Sequence, residues 1–125
     1  GMKVPETFAG LVKLIEDNGN RHLGQLLHDY AGVVRYQPPE LLIRPAKQLS
    51  ESFTRDLAAV LKGLTGTVWA VTLSDQEAEP TLLGRERMEA EALRQAVLET
   101  PIVQAALEAF PDAELVKYPD DQRSA

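Results

Sequence analysis

A chain of 125 residues with 44% apolar and 26% charged side chains is enough for one domain with its own core, without covalent staples. It has no cysteine, which excludes disulfides and thiolate metal sites and gives no sign of secretion. No apolar run nears the about 20 residues of a membrane span, and the N-terminus is not built like a signal peptide, so a cytoplasmic location is expected.

Gly1 ahead of Met2 reads as a remnant of tag removal, which suggests an excised piece. The net charge of −6 is unevenly placed: residues 1–75 hold eight basic and eight acidic groups, whereas residues 76–125 hold five and eleven. An acidic C-terminal half repels phosphates and suits a basic protein partner, which argues against nucleic acid.

The first helix reads FAGLVKLIEDNG, with Phe8, Leu11, Val12 and Ile15 at i, i+3, i+4, i+7 and Asn18-Gly19 as its stop. Asn20 caps a second helix carrying Leu23, Leu26, Leu27 and Tyr30 and ending near Gly32. GVVRYQPPELLIRP follows, two β-prone runs around Gln37-Pro38-Pro39-Glu40; the two prolines suggest a loop wider than a tight primed turn. A third helix is expected from about Lys47 to Leu64, started near Ser50, with Leu49, Phe53, Leu57, Val60, Leu61 and Leu64 on its apolar face. Gly66 leads into TVWAVTL, where Trp69, Val71 and Leu73 alternate with Val68, Ala70 and Thr72. Both faces are largely apolar, so a central or covered strand is expected.

After the acidic loop SDQEAEP, Thr81 caps a fourth helix running to about Glu99. Its apolar stripe, Leu83, Ala90, Leu93 and Val97, is thin, as on a helix at the edge of a core or one awaiting a partner. Thr100 and Pro101 open a short fifth helix with Ile102, Val103, Ala106, Leu107 and Phe110, stopped by Pro111-Asp112. A β-prone tail runs from Ala113 to Tyr118. The order α-α-β-β-α-β-α-α-β predicts an α+β fold, a small mostly antiparallel sheet covered by helices.

Chemistry is sparse. His22 and His28 are six apart on a helix and so on different faces, which is no metal pair. Asp29 is adjacent to His28, and neighbouring helical side chains diverge, which argues against a dyad. Serines 50, 52, 74 and 124 lie in no nucleophile-elbow motif. The acids of GRERMEAEALR, Gly84 to Arg94, read as a solvated helix face partly paired to Arg87 and Arg94. Gly63-Leu64-Thr65-Gly66 matches the G-x-x-G of KH domains but joins a helix to a strand, where a helix C-cap explains both glycines. No catalytic, cofactor-binding or metal-binding residue is assigned.

Several stretches together resemble one family. They are EPTL at Glu79 to Leu82, PIVQAALEAFPDAELV at Pro101 to Val116, LTGTVWAV at Leu64 to Val71 and VVRYQPPELLIRP at Val33 to Pro45. The chain resembles, from the Phe8 helix to Val116, the C-terminal domain of the gamma/tau subunit of bacterial DNA polymerase III in its alphaproteobacterial form. Ala78 and Asp112 depart from the pattern at turn positions where glycine is usual.

The resemblance implies a truncated KH-like α+β domain; one domain is expected at residues 1–118, and the terminal PDDQRSA, residues 119–125, reads as a loose tail as chain ends usually do. It implies a non-catalytic connector that tethers the polymerase alpha subunit to the clamp loader in DNA replication. The clamp-loader ATPase region of such subunits is not in this sequence, and other holoenzyme subunits would be reached through that missing N-terminal region. By position, the polymerase contact would fall on Val116, Lys117, Tyr118, Pro119, Asp120 and Asp121. The alternatives are a KH-like nucleic-acid-binding module and, if a cleft surrounds His22 or His28, a small enzyme. On the resemblance, the short fifth helix is expected to pack Ile102, Val103, Leu107 and Phe110 into the core, with the final strand joining the sheet edge.

Overall fold

A computed structural model describes residues 1–115. The elements in order are α1 (Phe8–Asp17), α2 (Arg21–Tyr30), β1 (Ala31–Gln37), β2 (Glu40–Pro45), α3 (Phe53–Thr65), β3 (Ala70–Leu73), α4 (Leu82–Leu98) and α5 (Pro101–Ala109). The α+β class is as expected. The chain divides into two compact units, Gly1–Gly84 and Arg85–Ala125, with α4 starting in the first.

The first unit is built on the periodicity of its helices. Thr7 caps α1, its Oγ1 accepting from the Gly10 N–H at 3.0 Å, and the predicted stripe Phe8, Leu11, Val12 and Ile15 is buried throughout. Gly19 takes a positive φ of 89°, which a non-glycine residue rarely adopts, and so allows α2 to begin at once. Asn20 stands at the N-cap of α2 but makes no side-chain cap; its amide donates to the Asn18 carbonyl instead. Gly24 on α2 lies against the Glu16 side chain of α1, so the two helices approach where a methyl group would intrude.

The sheet order is β1-β2-β3. β1 and β2 form an antiparallel hairpin in which Gln37 pairs with Glu40, with an irregularity between Val33 and Arg35. The connection is therefore only Pro38-Pro39, joined by a cis peptide bond, and not the wider loop the prolines suggested. β3 runs parallel to β2, Leu41 opposite Val71 and Ile43 opposite Leu73, so the sheet is mixed. Parallel neighbours need a crossover, and α3 supplies it. Among the described residues β3 is thus an edge strand; β2 is the central one. Of the residues around it, Trp69 is buried and Val71 half-buried, whereas Val68, Ala70, Thr72 and Leu73 are exposed. Alternation in sequence marks a strand, but its neighbours are set by the crossover.

α3 starts later than its apolar pattern suggested. Residues 46–52 are irregular, Ser52 is the N-cap, and its hydroxyl donates to Asp56 Oδ2 at 2.9 Å. Leu49 still packs against the core from that loop. The helix ends on Gly66, whose φ of 76° lets its N–H reach the Lys62 carbonyl at 2.8 Å. Leu57 and Leu61 from α3, Leu41 and Ile43 from β2, Leu11 and Ile15 from α1 and Leu27 from α2 meet as the most deeply buried side chains.

Aromatic rings close one side of this core. Tyr36 lies edge-on to Phe8 at 6.4 Å between centroids and stacked on Trp69 at 6.3 Å. Its hydroxyl donates to the Pro5 carbonyl at 2.7 Å, and burial raises its phenol above the ordinary pKa. The buried Thr65 hydroxyl donates to the Leu61 carbonyl at 2.7 Å and accepts from the Trp69 indole N–H at 3.1 Å. Along the outer side of β1, the Glu79 N–H donates to the Val33 carbonyl. Thr81 then caps α4 as predicted, accepting from the Gly84 N–H at 3.0 Å.

The second unit differs. Pro101 takes the first helical position of α5, but the Thr100 hydroxyl donates back to the Val97 carbonyl at 2.7 Å and caps nothing. Arg94 pairs with Glu91 at 3.5 Å and donates to the Leu115 carbonyl at 3.4 Å. None of residues 85–115 is buried. The expectation that Ile102, Val103, Leu107 and Phe110 fill the core is overturned: Ile102 is 80% exposed, Phe110 68%, and Val103 and Leu107 are half-buried. PIVQAALEA carries an apolar stripe at helical spacing, but that spacing does not say what covers the stripe, and none of the α5 residues is buried. Residues Ala113 to Leu115 form no strand, and the rest of the expected strand, Val116 to Tyr118, lies outside the described residues.

Candidate functional site

Three places could carry chemistry. The first is an open depression of about 420 Å³ where the N-termini of α2 and α3 come together. Its polar lining includes Arg21, His22, Ser50 and Asp56, over Leu23, Leu26, Phe53 and Val60. The polar groups are not organised as a catalytic set. Ser50 Oγ lies 3.5 Å from Ser52 Oγ, Asp56 accepts from Ser52, and His22 is exposed and bonded to neither. A nucleophile needs its base within hydrogen-bond reach.

The second place is His28 and Asp29. Divergence of neighbouring helical residues was expected to keep them apart, yet His28 Nδ1 donates to Asp29 Oδ1 at 2.7 Å. Both side chains are mostly buried, and the Gln25 amide donates to both carboxylate oxygens of Asp29, at 3.0 and 2.9 Å. The two side chains meet although helical Cα directions diverge, which spacing alone does not reveal. The contact fixes the imidazole's orientation. Neither His22 nor His28 belongs to a metal-type cluster; among the described residues, no group of three His, Cys, Asp or Glu could hold an ion.

The third place is the surface of α4 and α5. From Arg85 to Val97 every α4 residue except Arg94 is exposed, which fits the expected solvated, partly paired face, with Arg94 joined to Glu91. On the same unit Met88, Leu93, Val97, Ile102 and Phe110 are large apolar side chains left on the surface. For Leu93 and Val97 this fits the thin α4 stripe expected of a helix at the edge of a core or awaiting a partner; for Ile102 and Phe110 sequence reasoning missed it, because an apolar stripe looks the same whether its own chain or another covers it. The residues assigned to the partner contact, Val116, Lys117, Tyr118, Pro119, Asp120 and Asp121, lie outside the described residues. No helix among the described residues is long and apolar enough to cross a membrane.

The class is thus a small α+β fold, with a three-stranded mixed sheet among the described residues and a second unit whose described residues are all at least partly exposed. The family described as DNA polymerase III gamma and tau subunits C terminal matches residues 5–118, and the chain belongs to it. That membership ties the chain to DNA polymerase III and to DNA replication. No curated protein and no solved structure matches it.

Proposed function

We propose that this chain is a non-catalytic protein–protein interaction domain, tethering the alpha subunit of DNA polymerase III to the clamp loader in the cytoplasm. The observation that carries this is the second unit, where α4 and α5 leave five large apolar side chains exposed within an acidic stretch. Such a surface suits a protein partner and repels phosphates. Family membership supports a place in the holoenzyme, and contact with the other subunits would run through the ATPase-bearing region of the same subunit. The helices packed on a small sheet support a truncated KH-like fold. Gly63 to Gly66 serves as the C-terminal end of α3 and its exit toward β3, not as a clamp between two helices.

The proposed domain extends over residues 1–118, and the proposed contact includes Val116 to Asp121 in the tail. The test is a titration of the alpha subunit with the full chain and with a chain ending at Val116. Saturable binding that weakens with salt and drops on truncation is the expected result. Equal binding by both chains would sink the tail assignment. A gel shift with single-stranded DNA at low salt, in the absence of alpha binding, would replace the proposal with a nucleic-acid module.

A further inference from the structure

The sheet has two outer sides, and the chain treats them differently. Along β1 the Glu79 N–H donates to the Val33 carbonyl at 2.8 Å, and Gly32 lies against Ala78 and Glu79, so the chain's own return covers that side. Along β3 no such cover exists among the described residues. The parallel ladder fixes which groups are left over. The Ala70 N–H donates to the Pro39 carbonyl at 2.9 Å and the Ser74 N–H to the Ile43 carbonyl at 2.8 Å. Residues 70, 72 and 74 therefore turn their backbone groups toward β2, and Val71 and Leu73, between them, turn theirs outward. The side chains of Val71 and Leu73 stand opposite the buried Leu41 and Ile43, and Leu73 is 42% exposed.

We propose that β3 receives an extended, uncharged segment of a protein partner, paired to the N–H and C=O groups of Val71 and Leu73 and apolar at every second residue. The inference rests on the partner-binding function proposed above and adds a contact on the first unit. Donors and acceptors alternating at strand spacing are matched by another peptide backbone. Charge narrows the sequence of that backbone. Residues 63–74 hold no Asp, Glu, Lys or Arg, so a charged segment would lose water there without gaining a counter-ion. Apolar residues at alternate positions extend the core face past Val71 and Leu73. Size selects against a second copy of the chain. Antiparallel pairing of the four-residue β3 with itself would centre on Thr72, and Val71 and Leu73 are its only outward residues. That falls far below the roughly 1,200 Å² a stable interface buries. A segment of a larger partner needs no more, because its other contacts share the binding.

The experiment follows amide hydrogen exchange residue by residue in the full chain, alone and with the DNA polymerase III alpha subunit. Alone, the amides of Val71 and Leu73 should exchange faster than those of Ala70, Thr72 and Ser74, which the ladder holds. With alpha bound, we expect exchange at Val71 and Leu73 to slow by at least about tenfold. Two variants separate backbone from side chain. Leu73→Pro deletes one outward N–H and spares the bonds to β2, whereas Leu73→Ala keeps that N–H and trims the side chain. Proline should weaken alpha binding several-fold more than alanine does, with circular dichroism checking that both variants fold. If alpha binds and Val71 and Leu73 exchange as before, the strand site is wrong while the tethering function stands. If alpha ignores the wild-type chain, both fall. Slowing of the same two amides in the concentrated chain alone would overturn the partner segment in favour of a second copy.

Discussion

The two units use apolar residues in opposite ways. In the first, stripes from α1, α2, α3 and β2 converge, and Leu11, Ile15, Leu27, Leu41, Ile43, Leu57 and Leu61 are removed from water. In the second, α4 and α5 have comparable apolar residues, yet none of residues 85–115 is buried. The contrast teaches that helical apolar periodicity reports an interface without saying who supplies the other side. Where a sheet and three helices surround a stripe it becomes core; among residues 85–115 much of it remains outside.

The largest expected effect tests this division directly. Leu57→Ala should cost about 2–5 kcal/mol in denaturant unfolding, by lost burial and the cavity left behind. Ile102→Ala should change the same measurement by less than about 0.5 kcal/mol. Similar losses at both positions would erase the contrast.

Next comes the buried polar knot. Thr65→Val removes the acceptor of the Trp69 indole N–H and should destabilise by about 1–3 kcal/mol, with a shift in tryptophan fluorescence as its readout. The approach of α1 and α2 is of similar or smaller weight: Gly24→Ala should cost about 1–3 kcal/mol. Part of that should return when Glu16→Ala trims the opposing side chain, as a double-mutant cycle in urea would show. The smallest of these concerns the start of α4. Thr81→Ala should cost about 1 kcal/mol and speed amide exchange at Gly84, whose N–H the hydroxyl holds.

Much of the first unit was legible because its signals are local. The α1 stripe, the C-cap at Gly66 and the cap at Thr81 depend on residues within a few positions of one another. What was not legible depends on neighbours distant in sequence. β3 alternates like a covered strand, but its place at the edge follows from the α3 crossover to β2. Leu49 continues the apolar spacing of α3 while lying in the loop before it, since a loop residue can reach the same core. His28 and Asp29 meet through a side-chain rotamer that helical Cα spacing does not encode. Of the candidate site, the thin stripe of α4 was legible as that of a helix at a core's edge or awaiting a partner, whereas the exposure of the α5 residues was not, since no periodicity distinguishes it from burial.

The edge position of β3 has a practical consequence. Residues 63–74, bracketed by Lys62 and Asp75, form a twelve-residue stretch without a charge, and Ala70–Leu73 is its paired part. A neutral rim without proline or lysine is a template for cross-molecular strand addition, restrained in the native state chiefly by its shortness. Warming that loosens α3 should lengthen that template before the whole domain unfolds, so storage conditions ought to be judged by turbidity as well as by melting temperature.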